Sequence, residues 1–86
     1  MRMNSRHRKT LERLFQKPAP ANMRWADIEA LFIALGAKMI EGAGSRVTFT
    51  LNDVQHTFHR PHPGKEATRP MARSARGFLE NAGVQP

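Results

Sequence analysis

The stretch that decides the fold is RVTFTLNDVQHTFH, at residues 46–59. Apolar and polar side chains alternate on both sides of the central Asn52-Asp53 pair, which is typical of strands that bury one face. Asparagine and aspartate tolerate the positive φ angles that a two-residue hairpin turn needs. The stretch therefore predicts two antiparallel strands, at residues 46–51 and 54–59, joined by a tight turn.

The turn also predicts which side chains share a face, because it sets Leu51 opposite Val54. We expect one face to pack against the core, and it carries Val47, Phe49, Leu51, Val54, His56 and Phe58. On this face, His56 is interpreted as a partly buried structural histidine. The opposite face is polar, and its cross-strand pairs are Thr50 with Gln55, Thr48 with Thr57 and Arg46 with His59.

Helices are predicted on both sides of the hairpin from apolar residues spaced three and four apart. They cover residues 5–16, 24–35 and about 70–82. Prolines end the first helix, and Gly36 and Gly83 end the other two. The remaining segments are predicted to be a linker at residues 18–22, an edge strand at 37–41, a turn at 42–44 and a loop at 60–68.

These elements, in the order α-α-β-β-β-α, predict an α+β fold. The chain has 86 residues, which is enough for one domain. Three hairpin-linked strands cannot bury both of their own faces, so the helices are expected to pack on the apolar face. The polar face, with Arg46 and His59, would then stay open.

The net charge of the chain points to a polyanionic partner. Fourteen Lys and Arg residues stand against seven Asp and Glu residues, which gives +7 and a pI near 11.4. A field of this sign attracts polyanions, and nucleic acid is the most common of them. An acidic protein partner is the alternative that charge alone leaves open.

Several classes of protein are excluded or disfavoured by composition. The chain has no cysteine, so it forms no disulfide and no thiolate metal site. It contains no run of eighteen apolar residues, and its basic beginning is not followed by the apolar segment of a secretory signal. We therefore expect a cytoplasmic protein with no membrane partner.

The histidines are considered next as candidates for chemistry. His59 lies opposite Arg46 on the polar face, and His62 lies between two prolines in the following loop. His56 and His59 are three apart on a strand and so point to opposite faces, which disfavours a shared metal ion. His7 is interpreted as an idle residue of a mobile basic terminus.

Two motifs carry a family resemblance: Gly44-Ser45-Arg46 and the segment Pro61-His62-Pro63-Gly64-Lys65-Glu66. Over residues 24–85 the chain resembles the HicA family, the toxin half of bacterial HicA–HicB toxin–antitoxin pairs. It departs from the family in two ways. The helix at residues 5–16 is an addition, and Arg46 stands where the family motif usually has its catalytic histidine.

The resemblance implies a fold like that of double-stranded-RNA-binding domains, α-β-β-β-α, here with an extra N-terminal helix. The chain would divide into a basic helix and linker, residues 1–22, and a HicA-like domain, residues 23–86. The resemblance also implies cleavage of mRNA without a metal or another cofactor. A HicB-type antitoxin would cover the active face of a monomeric toxin within a hetero-oligomeric complex.

Candidate roles follow for residues on the open face and in the loop. RNA cleavage by transesterification needs a base, an acid and positive charge on the phosphorane. We expect His59 to be the base and Arg46 to supply the charge, with His62 nearby as a further catalytic residue. The residues expected to bind RNA are Ser45, Arg60, Lys65 and Arg73. The alternatives are a non-catalytic RNA- or DNA-binding module of the same fold and a protein-interaction domain for an acidic partner.

Overall fold

The computed structural model describes residues 3–62 and 65–86. Pro63 and Gly64, in the predicted loop, lie outside these described residues. The elements, in chain order, are α1 (Ser5–Leu14), β1 (Met23–Arg24), α2 (Trp25–Ala34), β2 (Lys38–Glu41), β3 (Arg46–Leu51), β4 (Val54–His59), β5 (Glu66–Ala67) and α3 (Arg69–Asn81). The α+β class and the order of the main elements agree with the prediction.

A three-stranded antiparallel sheet is formed in the order β2-β3-β4. The predicted register of the hairpin is confirmed, since Leu51 pairs with Val54 and Arg46 pairs with His59. Asn52 and Asp53 form the turn with φ angles of 51° and 66°. Positive values at both turn positions match the right-handed twist of the flanking strands, which is why this short turn fixes the register.

Helices α2 and α3 pack on the apolar face of the sheet around one cluster of aromatic rings. Phe32 of α2 lies at its centre, with ring centroids 4.9 Å from Phe49 and 5.1 Å from Phe78. Both pairs meet edge to face, an arrangement that aromatic rings favour. Val47 and Phe49 of β3 are fully buried. The predicted packing of the hairpin against α2 and α3 is therefore confirmed.

The extra helix α1 contributes to the same core. Leu11 and Leu14 are fully buried, and Thr10 is buried beside them. The helix contacts both α2 and α3. It begins at the cap residue Asn4, whose side chain accepts a hydrogen bond from the backbone N–H of His7 at 2.8 Å. Thus α1 is a packed element of the fold.

A second, small sheet was not predicted: one strand lies where the helix at residues 24–35 was expected to begin, and the other lies in the predicted loop at 60–68. Strands β1 and β5 pair antiparallel, with Met23 opposite Ala67 and Arg24 opposite Glu66. Met23 and Ala67 are buried in the common core. A strand of two residues has no readable alternation, so the sequence pattern gave no sign of it. This pairing joins the segment after the loop to the start of α2.

Two histidines lie elsewhere than expected. His56 is exposed and not partly buried, because β4 is an edge strand; its ring still lies 4.5 Å from that of Phe58. His7 is half-buried in α1 and does not belong to a mobile terminus. It shares a helix face with the buried Leu11 and Leu14, and its Nδ1 atom is buried without a hydrogen-bond partner among the described residues.

Within the two described ranges, no helix has the length and apolar character needed to cross a membrane.

Candidate functional site

Arg46 and His59 lie opposite each other on the sheet face that the helices leave open. The N–H of Arg60 donates to the carbonyl of Ser45 at 2.9 Å, so that pair of residues is hydrogen-bonded. Arg46 and His59, the next pair along the hairpin, are therefore a non-hydrogen-bonded pair, in which the two Cα atoms lie only about 4.5 Å apart. Both side chains are exposed. A guanidinium and an imidazole can thus reach one bound group.

The open face next to this pair is mostly polar. The hydroxyl oxygens of Thr48 and Thr57 are hydrogen-bonded at 2.7 Å, on the strand positions adjoining Arg46 and His59. The neighbouring strand β2 adds an apolar side chain that the hairpin alone did not predict. This is Ile40, which lies opposite Thr48 and is 61% exposed. The open face therefore combines a cation, an imidazole, hydroxyls and one exposed isoleucine.

Arg60 does not point to the open face. Its guanidinium makes two hydrogen bonds with the Glu29 carboxylate, at 3.0 and 3.3 Å, and one with Glu41 at 2.7 Å. These bonds raise the pKa of Arg60 further above its already high value, with Glu29 as the larger cause. Trp25 donates its indole N–H to the same Glu29 at 2.9 Å. These contacts join the end of β4 to α2 and β2, and the expected contact of Arg60 with phosphate stays a prediction.

A cleft of about 210 Å³ lies at the start of α2 and collects several other candidates. Arg60, His62 and Lys65 line it, together with Arg24 and Trp25. The N–H of Lys65 donates to the carbonyl of His62 at 2.9 Å, which keeps these two loop residues close. The cleft is basic, and Arg24 is a member that the sequence analysis did not single out.

The predicted site residues therefore fall into separate places. Ser45, Arg46 and His59 adjoin one another at one end of the hairpin, whereas His62 and Lys65 line the cleft. His59 also borders a groove between β4 and the start of α3. Arg73 is exposed on α3 and lines neither the cleft nor this groove. Among the described residues, no three His, Asp or Glu side chains come together as a metal site would require.

The sequence pattern did not predict the contacts of Glu29 and Glu41 with Arg60. Glu29 follows Trp25 by four residues on α2, the spacing at which helical side chains meet. Arg60 continues the alternation of Val54, His56 and Phe58, which places it on the helix side of the sheet. Extending the strand pattern by one residue would have predicted that direction.

Comparison with known proteins gives a single family. A family model described as the HicA toxin of bacterial toxin-antitoxin matches residues 25–84, from the first residue of α2 to just beyond α3. No curated protein and no solved structure matches the chain. The match covers well over half of the sequence, and the three-stranded antiparallel sheet with its helices is consistent with the fold of that family. The chain therefore belongs to the HicA toxin family of bacterial toxin–antitoxin systems.

Proposed function

We propose that this toxin acts by cleaving mRNA without a metal ion and that a HicB-type antitoxin silences it by covering the open face of the sheet. Family membership makes it a toxin with a cognate antitoxin. The observation that carries the proposal further is the exposed pair of Arg46 and His59 on neighbouring strands. An imidazole can supply the base, and a guanidinium beside it the positive charge, that transesterification of RNA requires.

In the proposed reaction, His59 takes the proton from a ribose 2′-hydroxyl. The 2′-oxygen then forms a bond to the adjacent phosphorus, and the bond from phosphorus to the 5′-oxygen of the next nucleotide breaks. The products are a 2′,3′-cyclic phosphate and a new 5′-hydroxyl, and the reaction consumes no water and no cofactor. Arg46 donates two parallel N–H groups to the phosphorane oxygens as negative charge develops there.

The leaving 5′-oxygen needs a proton, and we propose His62 as its donor, which requires the bound RNA to extend from the open face to the cleft. This residue follows His59 by three positions and is exposed at the basic cleft. Lys65 and Arg24 in the same cleft would hold a neighbouring phosphate, and Ser45 and Arg73 are proposed as further RNA contacts. Arg60 is left out of this set, because its guanidinium is occupied by Glu29 and Glu41.

Substitution of His59 tests the proposal. Purified wild-type protein should cleave an mRNA in the presence of EDTA and leave 2′,3′-cyclic phosphate ends. His59→Ala should lower the rate by about 10²–10⁴-fold, the usual contribution of a general base. The matched control is His56→Ala, an exposed histidine of the same strand on the other face of the sheet. Cleavage by His59→Ala and His62→Ala at the wild-type rate would exclude a histidine mechanism.

A second candidate function is supported by Arg46 itself. The family motif usually has its catalytic histidine at this position, and an arginine cannot act as a base at neutral pH. A chain that kept the fold and lost the base would bind RNA or DNA without cutting it. Salt-dependent RNA binding without any cleavage product would favour this binding module. A chain that binds neither RNA nor DNA and is retained only by an acidic protein would favour the interaction-domain alternative.

A further inference from the structure

The positive charge of the chain is concentrated outside the family-matched region. Residues 1–24 contain seven Lys and Arg residues and one acidic residue, Glu12, for a net charge of +6. Residues 25–86 contain seven basic and six acidic residues, for a net charge of +1. The match to the HicA family begins at residue 25. The HicA-like part is therefore nearly neutral, and the preceding segment supplies the basic character of this protein.

Four cations of this segment, Arg6, Arg8, Lys9 and Arg13, lie on the packed helix α1. The buried side of α1 is formed by Thr10, Leu11 and Leu14, with His7 half-buried beside them, and the opposite side of the helix faces solvent. Arg8 and Lys9 are exposed there. Helical geometry fixes the spacing of these charges, and packing against α2 and α3 fixes their position on the molecule.

The charge pattern of α1 is not one that favours helix stability. Its first turn contains no acidic residue and instead carries Arg6, with Arg8 and Lys9 immediately after. Cations near the N-terminus oppose the helix dipole, and Arg6 and Lys9 are like charges three residues apart. In the described part of residues 3–24, the single salt bridge is that of Arg6 with Asp27, at 2.9 Å. These cations are better explained by an anionic ligand than by a stabilising role.

The basic surface continues from α1 onto α3. The Arg69 guanidinium donates to the carbonyl of Ala19 at 2.6 Å, and that of Arg76 donates to Gln16 at 3.4 Å. Both contacts join α3 to the segment that follows α1. Arg73 lies between them along α3, at helical spacing from each, and is exposed. The cations of α3 therefore lie beside the segment that follows α1, on the helix side of the fold.

We propose that a basic tract, made by Arg8, Lys9 and Arg13 of α1, Lys17 just after it and Arg73 of α3, is a second binding surface for the phosphate backbone of the RNA substrate. It rests on the proposed function in that RNA is taken as the ligand. The composition of the tract favours RNA over a protein. Protein interfaces have an apolar centre, whereas phosphate binding needs only cations. The exposed large hydrophobic residues of the described chain are Ile33, Met39 and Ile40, and all three lie on α2 and β2.

The test is the binding of a fluorescent 2′-O-methyl RNA, which cannot undergo transesterification, measured by anisotropy at several salt concentrations. The double substitution Arg8→Gln/Lys9→Gln should reduce the slope of log K against log salt by about 1.4, two contacts at about 0.7 each. If the variant and the wild type bind RNA equally at 1 M salt, this difference in slope makes the variant bind about 25-fold more weakly at 0.1 M salt. Circular dichroism should give an unchanged or higher Tm for the variant.

Two further variants test whether the effect on binding is due to charge. Arg8→Lys/Lys9→Arg keeps both charges and should bind like wild type, and Glu12→Gln removes the acidic residue of α1 and should bind more tightly. Unchanged affinity and slope in Arg8→Gln/Lys9→Gln would overturn the inference. It would also be overturned if that variant lost binding to a polyglutamate peptide and retained RNA, since the ligand would then be an acidic protein.

Cleavage distinguishes this inference from the proposed function. A protein that binds RNA through the tract but yields no cyclic phosphate ends refutes the nuclease proposal and supports the tract. A protein that cleaves mRNA while its tract variants bind as tightly as wild type refutes the tract and leaves the nuclease proposal in place.

Discussion

Replacing Arg60 with alanine is expected to destabilise the fold, although the sequence suggested a role for this residue in binding. The guanidinium joins the end of β4 to Glu29 of α2 and Glu41 of β2. Its side chain is 25% exposed, as is that of Glu29, whereas Glu41 is 64% exposed. The substitution would remove all of these bonds and leave the half-buried Glu29 carboxylate with the indole N–H of Trp25.

The two carboxylates contribute unequally. Hydrogen bonds between charged groups that are partly shielded from solvent contribute about 1.5–3 kcal/mol to the free energy of unfolding. The two contacts of Arg60 with Glu29 are of this kind. An exposed ion pair such as that with Glu41 contributes about 0–1 kcal/mol. We therefore expect Arg60→Ala to lower the free energy of unfolding by about 2–3 kcal/mol. In a domain of this size that corresponds to a fall in Tm of about 8–24 °C.

The assay is thermal unfolding followed by circular dichroism, with Arg46→Ala as the matched control. Arg46 is exposed, and within the described residues its side chain makes no hydrogen bond or salt bridge, so its removal should change stability by less than about 0.5 kcal/mol. Arg46→Ala should instead lower RNA affinity. A double-mutant cycle with Glu29→Gln should give a coupling energy of about 0.5–3 kcal/mol. Equal Tm values for Arg60→Ala and Arg46→Ala would refute this assignment.

Three further predictions concern α1, the end of α2 and the antitoxin. Leu14→Ala should lower the free energy of unfolding, measured by chemical denaturation, by about 2–5 kcal/mol, because removal of a fully buried leucine side chain leaves a cavity. A change near zero would mean that α1 is detached in solution. Gly36→Ala should lower the free energy of unfolding by about 1–2 kcal/mol, because φ at this residue is 97°. No atom lies close enough to block the added methyl group, so the effect comes from the backbone conformation. Wild-type stability of this variant would contradict the positive φ. Ile40→Glu should weaken co-purification with an antitoxin encoded beside this gene while leaving Tm unchanged, and full retention of the complex would exclude the open face as its binding surface.

The hairpin was predictable because two local signals agree. The alternation over residues 46–59 defines the two faces, and Asn52-Asp53 defines the turn, so the pairing of Arg46 with His59 follows without any tertiary information. The small sheet of β1 and β5 was not predictable, because two-residue strands carry no period and their pairing depends on the whole fold.

The candidate site was predictable only in part, because some of its contacts depend on tertiary structure. Register placed Arg46 and His59 together, but it could not show that Arg60 would meet Glu29, a residue thirty-one positions away on another element. The loop residues His62 and Lys65 also depend on tertiary structure, since the cleft that they line is closed by Arg24 and Trp25 at the start of α2.

The position of β2 at the edge of the sheet bears on how the protein avoids aggregation. Met39 and Ile40, at the centre of this strand, are both substantially exposed, and an edge strand offers backbone groups that can pair with another chain. Lys38 and Glu41 stand at its two ends. Charged residues on an edge strand oppose pairing with a second copy, because pairing would desolvate them. At high expression, neutral residues at these two positions should therefore shift the protein from the soluble fraction to inclusion bodies.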